Sequence, residues 1–164
     1  MPEPTEVPAP VLREDPAEEK NTRKQSYYDL NGDKVIGEGG FVTRIQALND
    51  RGQAISENYF DADGNPMSPD GMYYQVEFTY DKKDNVNREK YYDADGNLVL
   101  NAKGYAIVYR EFDAYNRVVY ERFAGTGLED PQLEDGVFSY RYEYDDHGEL
   151  IKKTAYDWMD HEIE

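Results

Sequence analysis

The chain has 164 residues and 18 Lys+Arg against 35 Asp+Glu, a formal net charge of −17, with 16 tyrosines and no cysteine. One ordinary domain fits that length, and the charge excludes nucleic-acid binding through a basic patch. Disulfides, zinc-thiolate sites and thiol catalysis are excluded by the missing cysteine, a thick aliphatic core by the composition, and membrane insertion by the lack of an apolar run of roughly 18 residues.

The proline-rich start holds Pro2, Pro4, Pro8, Pro10 and Pro16 among Glu, Thr, Ala and Lys, with only Val7, Val11 and Leu12 as sizeable apolar groups. Such a stretch cannot bury enough surface to offset its ordering entropy, so residues 1–26 are expected to form a disordered linker.

After it the sequence repeats. Tyr28, Phe60, Tyr92 and Ala124 are evenly spaced, with a period of 32, and open segments that align almost without gaps. Residues 27–157 therefore read as four tandem copies, 28–59, 60–91, 92–123 and 124–155. Three open on Tyr28-Asp29-Leu30-Asn31-Gly32, Phe60-Asp61-Ala62-Asp63-Gly64 and Tyr92-Asp93-Ala94-Asp95-Gly96, while the fourth departs as Ala124-Gly125-Thr126-Gly127. A Gly-hydrophobic step follows at Gly40, Gly71, Gly104 and Gly136, one residue early in the second copy.

A third landmark falls at Asn49–Gly52, Asp81–Asp84, Asp113–Asn116 and Asp145–Gly148. Gly52, Asp84, Asn116 and Gly148 are of the types that tolerate a left-handed backbone, and an Asp or Asn three places earlier can accept the turn amides. This is the pattern of a tight turn between antiparallel strands. Before it, Val76, Phe78 and Tyr80 alternate with Gln75, Glu77 and Thr79, as Tyr140, Tyr142 and Tyr144 do with Ser139, Arg141 and Glu143. Glu57, Glu89 and Glu121 recur in the strand after the turn, where they are expected to form a charge ladder on the solvated face.

The expected fold is all-β: an antiparallel meander of about eight strands from four hairpins, elongated or curved, with a closed eight-stranded barrel as the alternative. Residues 158–164 read as an acidic tail or a truncated further repeat.

Tyr142-Glu143-Tyr144-Asp145-Asp146-His147-Gly148-Glu149-Leu150 resembles the Tyr-x-Tyr-Asp-x-x-Gly-x-Leu core of the YD repeat, the unit of RHS and related bacterial surface proteins. Phe78–Asp81 and Phe112-Asp113 are weaker matches, and the period of 32 differs from the roughly 21 of that family. The resemblance implies a β-hairpin array at a bacterial cell exterior, used for binding or spacing, with the export signal outside this chain.

Asp61, Asp63 and Asn65, and Asp93, Asp95 and Asn97, resemble the start of a calcium loop, although the same spacing is ordinary tight-turn chemistry. No cofactor is expected beyond weak calcium. His147 and His161 have no catalytic companions at useful spacing, so no enzyme is expected. Tyr73, Tyr105, Tyr109, Tyr115 and Tyr120 are the candidate binding residues, since exposed rings with hydroxyls stack on sugar or protein. The leading expectation is a non-catalytic extracellular repeat module, monomeric in isolation, that presents an acidic, Tyr-rich β surface to a protein or glycan. Its rivals are a calcium-dependent adhesive repeat and an acidic decoy or immunity-type protein for a basic partner.

Overall fold

A computed structural model describes residues 2–164. Among them are eleven strands: β1 (Val11–Asp15), β2 (Thr22–Tyr28), β3 (Thr43–Leu48), β4 (Ala54–Phe60), β5 (Gln75–Tyr80), β6 (Val86–Tyr92), β7 (Ile107–Phe112), β8 (Val118–Ala124), β9 (Ser139–Tyr144), β10 (Leu150–Tyr156) and β11 (Glu162–Ile163). The only helical element among the described residues is a short 3-10 turn, Glu134–Gly136. The strands run as an antiparallel meander and do not close into a barrel. The chain divides into two compact units, the first reaching Tyr74 and the second spanning Gln75–Glu164. In the first, β1 to β4 pair in chain order; in the second, β5 to β11 do.

The period of the sequence is the period of the strands. First strands of the hairpins begin at Val11, Thr43, Gln75, Ile107 and Ser139, and second strands at Thr22, Ala54, Val86, Val118 and Leu150, each one full sequence period after the last. There are thus five hairpins, not four, and eleven strands instead of about eight. The extra hairpin, β1–β2, lies where a disordered linker was expected: Val11 to Asp15 pair in register with Tyr28 to Lys24. Its turn lacks the landmark because Ala17 and Lys20 occupy the places of the Asx acceptor and the glycine. Asn21, at φ +57°, supplies the left-handed residue one place later. β1 is also fastened by polar side chains, since Asp15 accepts hydrogen bonds from the hydroxyls of Ser26 and Tyr28.

Each regular turn is built by one side chain. Oδ1 of Asn49 accepts the amides of Arg51 and Gln53 at 3.0 Å each, and Asp81, Asp113 and Asp145 repeat the arrangement. Gly52, Asp84, Asn116 and Gly148 then take φ of 77°, 66°, 62° and 83°. In the strand after each turn one extra residue shifts the register: Leu48 pairs with Ala54 but Ala47 with Ser56, and Phe112 pairs with Val118 but Glu111 with Tyr120.

In the first unit the core face carries Tyr59, and in the second Val76, Val108 and Phe123, all between 0% and 6% exposed; in the second unit Leu100, Ala106 and Ile107 form a further buried cluster against which Tyr109 packs. On the core face aromatics of strands and loops pack on one another, with Phe41, Tyr73 and Tyr105 coming from loops and the others from strands. In the first unit Tyr27, Phe41, Tyr59 and Tyr73 follow one another at centroid distances of 5.2, 5.1 and 5.9 Å. In the second, Tyr91, Tyr105, Phe123 and Tyr140 do so at 5.8, 4.9 and 5.8 Å. Phe41 and Tyr105 directly follow Gly40 and Gly104, and at those two positions a glycine is required. A Cβ on Gly104, at φ +98°, would lie 2.4 Å from the carbonyl oxygen of Gln132 in the next loop, and one on Gly40 would lie 2.5 Å from that of Pro69. Successive loops within each unit therefore stack through bare backbone.

The loop before β7 rests on Asn101, which is 6% exposed and accepts the amides of Lys103 and Tyr105 at 3.0 and 3.3 Å. Asn101→Ala will leave the Tyr105 amide without its side-chain acceptor and will cost about 1–3 kcal/mol, measured by urea titration. An unchanged midpoint would show that water replaces the side chain there.

Candidate binding surface

The two strand faces of the second unit are chemically distinct. On the core face, Arg110 of β7 is held between Glu121 of β8 and Glu89 of β6, at 2.8 and 2.9 Å. The hydroxyl of Tyr142 donates to Glu121, and Tyr91 donates to Glu89 at 3.4 Å. Burial works against the Arg110 charge, but the flanking Glu89 and Glu121 carboxylates more than offset it and hold the guanidinium above its ordinary pKa. Glu57 has the same place in the first unit, accepting from Gln46 and from the Tyr59 hydroxyl at 2.8 and 2.6 Å. The expected charge ladder on a solvated face is therefore corrected: the side chains of Glu57, Glu89 and Glu121 are 14%, 19% and 15% exposed and lie among the aromatic rings. Alternation along the strand carries that information, since Glu57 and Tyr59 are two residues apart and must share a face. These carboxylates are engaged with cations and phenols, and the geometry here is that of a structural network.

The opposite face carries Tyr109 of β7, Tyr120 and Arg122 of β8, and Arg141 of β9. The Arg122 guanidinium stands 4.2 Å from the centroid of Tyr109, and Arg141 stands 4.6 Å from Tyr156 and 5.7 Å from Tyr120. Planar cations over planar rings make a layered surface of this kind, with both faces of the stack apolar and both edges hydrogen-bonding. Beside it the turn after β10 lifts Trp158, 71% exposed, over an open groove of about 310 Å³ lined by Tyr120, Arg122, Arg141, Trp158 and Asp160. Asp160 also fixes Arg141, at 3.3 Å.

Of the five tyrosines expected to bind, Tyr109 and Tyr120 lie on this face, half-buried. Tyr115 projects from a hairpin turn at 78% exposure, with Arg117 5.0 Å from its ring. Tyr73 packs edge-on against Tyr59. Tyr105 is a correction: at 5% exposure it is a core residue between Tyr91 and Phe123 and presents nothing to a partner. Arg122, Arg141 and Tyr156 were not singled out by sequence, although Arg122 and Arg141 are cations in a chain poor in them, at alternate-face positions.

The residues expected to hold calcium are spread along their turns. Oδ1 of Asp61 accepts the amides of Asp63 and Asn65, both at 2.9 Å, and Oδ1 of Asp93 accepts those of Asp95 and Asn97 at 2.9 and 3.0 Å. Among the described residues no three acidic or histidine side chains are gathered into one cluster. The end of the chain repeats this turn: Asp157 accepts from Met159 and His161 at 2.9 Å, and Asp160 takes φ +62° where Gly32, Gly64 and Gly96 stand in the earlier copies. Residues 158–164 thus form the opening turn of a further copy and β11. No helix among the described residues is long and apolar enough to cross a membrane. No family model matches the chain, and no curated protein matches it either.

Proposed function

We propose that this chain is a non-catalytic tandem-repeat module of a bacterial extracellular protein, which binds a protein or glycan partner and spaces the regions on either side of it. The observation that carries the reading is the stacked face of Tyr109, Tyr120, Tyr156, Arg122 and Arg141 with Trp158 standing free beside it. Rings half covered by guanidinium groups bury a flat partner at low entropic cost, and exposed Trp, Tyr and Arg are the side chains that dominate binding energy. The extracellular placement rests on the YD-repeat resemblance. The acidic surplus lies mainly in turns, loops and the proline-rich start of the chain, so it solvates the array; on or beside this face stand Glu111, opposite Tyr120, Glu143, two residues from Arg141, and Asp160.

Trp158 is the single tryptophan and reports on the groove directly. Titration with a panel of soluble oligosaccharides, cello-, chito- and xylo-oligomers among them, is expected to shift Trp158 emission. Tyr120→Ala and Arg141→Ala are expected to weaken that binding by about tenfold or more without lowering the melting midpoint. Release of shortened sugars during the titration would overturn the non-catalytic reading; binding unaffected by both substitutions would move the site elsewhere.

A further inference from the structure

Among the described residues two strand edges are open. β1 pairs with β2 alone, and the outer side of β10 pairs with β11 only at Ala155 and Tyr156, which leaves Leu150 to Thr154 unpaired on that side. Open edges present rows of free N–H and C=O groups, and the repeat shows what fits these two. β1 stands at the repeat position of β3, β7 and β9, and β10 at that of β2, β6 and β8. Those strands pair with one another: β2 with β3, β6 with β7, β8 with β9. The three junctions share one register, since Lys24↔Ile45, Arg88↔Tyr109 and Tyr120↔Arg141 are the same repeat position each time. β11 does not obstruct the edge, because Tyr156↔Glu162 matches the bridges Tyr28↔Lys34 and Tyr92↔Leu98, which coexist with β2–β3 and β6–β7.

One diagonal pair at these edges is complementary in charge, while Lys152 falls directly opposite Arg13 in the same register. At the β6–β7 junction Arg110 donates to Glu89 at 2.9 Å, and at β8–β9 Tyr142 donates to Glu121. The same positions on the open edges hold Lys153 and Glu14, the ion pair with its signs exchanged. Both are exposed, and the only ion pair of Glu14 among the described residues is with Arg23, at 3.6 Å with side chains 40% (Arg23) and 70% (Glu14) exposed. Leu150 and Ile151, 51% and 64% exposed, lie on the same strand as Lys153.

We infer that the outer edge of β10 of one copy adds to β1 of a second copy of this chain. The pairing is antiparallel, running from Leu150 opposite Asp15 to Thr154 opposite Val11, with Lys153 ion-paired to Glu14 of the second copy. The contact is head-to-tail, so it leaves one open edge of each kind at the ends and can recur. The charge of −17 on each copy opposes the encounter, and salt relieves this long-range repulsion more than it weakens a close pair.

Sedimentation velocity over a concentration series, at physiological and at higher ionic strength, tests the inference. The expected result is reversible association of the wild-type chain that strengthens with salt. Lys153→Glu and Glu14→Lys each weaken it by about fivefold or more at physiological salt, and the double variant restores it. Melting midpoints confirm that all variants fold. A chain that stays monomeric throughout, association indifferent to the single reversals, or sensitivity to Glu14→Lys alone, as pairing of β1 with β1 would give, overturns it.

Discussion

Replacing Phe123 by alanine will lower the stability of the protein by about 3–5 kcal/mol, among the largest losses available to a single substitution in the second unit. Phe123 is 6% exposed and packs with Tyr105 and the fully buried Val108, while Tyr140 closes the other side at 5.8 Å. It belongs to β8 but its contacts reach β7, β9 and the loop before β7, so its loss opens a cavity that no single neighbour can fill. The paired rings add a contribution of about 0.5–1.5 kcal/mol beyond area, which the alanine also forfeits. In a repeat array stability is a sum of hairpins and their interfaces, so the damage should be local. Hydrogen exchange should show β7, β8 and β9 deprotected while β3 and β4 keep their protection. Tyr91→Ala is the internal comparison: Tyr91 has the same repeat position but is half-buried, and it should cost less. Equal losses at the two sites would mean that position in the repeat, and not burial, sets the energy.

That contrast shows what the sequence carries and what it does not. The period, the strand alternation and the Asx-based turns were legible because each is written in neighbouring residues: Asp81 and Asp84 are three apart, Phe78 and Tyr80 two apart. The first hairpin was illegible for the same reason. Its turn, Pro16 to Asn21, lacks the Asx and glycine at the positions where the other copies carry them, and proline-rich composition spoke for disorder. Only a step of one period back from β3 and β4 reveals it. The core place of Tyr105 was hidden because its burial depends on a loop folding over the strands, and Gly104 announces that loop only through a close approach to Gln132, which belongs to the following loop. The stacked face was half legible: Tyr109 and Tyr120 were found as rings, but the guanidinium groups over them come from neighbouring strands, a cross-strand relation that the register fixes. The spacing of Asp61 and Asp93 fits a calcium loop and a tight turn alike, and in the structure each accepts two backbone amides of its own turn.

Above pH 10 the fold is expected to lose stability steeply. Tyr59 and Tyr105 are each 5% exposed. Burial, joined for Tyr59 by the charge and hydrogen bond of Glu57 and for Tyr105 by the charge of Glu89, pushes both phenols above their ordinary value near 10. A group whose pKa is raised by folding stabilises the native state fully below its unfolded value, and that stability is lost as pH climbs toward the folded one. While pH lies between the two, each phenol removes about 1.4 kcal/mol per pH unit, about 3 kcal/mol for the pair, a slope large enough to unfold an ordinary domain within a few units. Phenolate absorbance from these rings should therefore appear together with loss of β structure, in one cooperative step; phenolate formation by every tyrosine ahead of unfolding would contradict their burial. The acid limb has the opposite sign. Asp61 and Asp81 are held below the usual carboxylate range chiefly by backbone amides, those of Asn65 and Asn85 first; Asp113, against the desolvation that would raise it, is held there by Arg117. Their contribution is present above the unfolded Asp value of about 3.9 and is lost as pH falls through the lowered folded values. The turns should therefore fail in acid and the aromatic core in alkali, because carboxylates must be charged to hold amides while phenols must be neutral to stay buried.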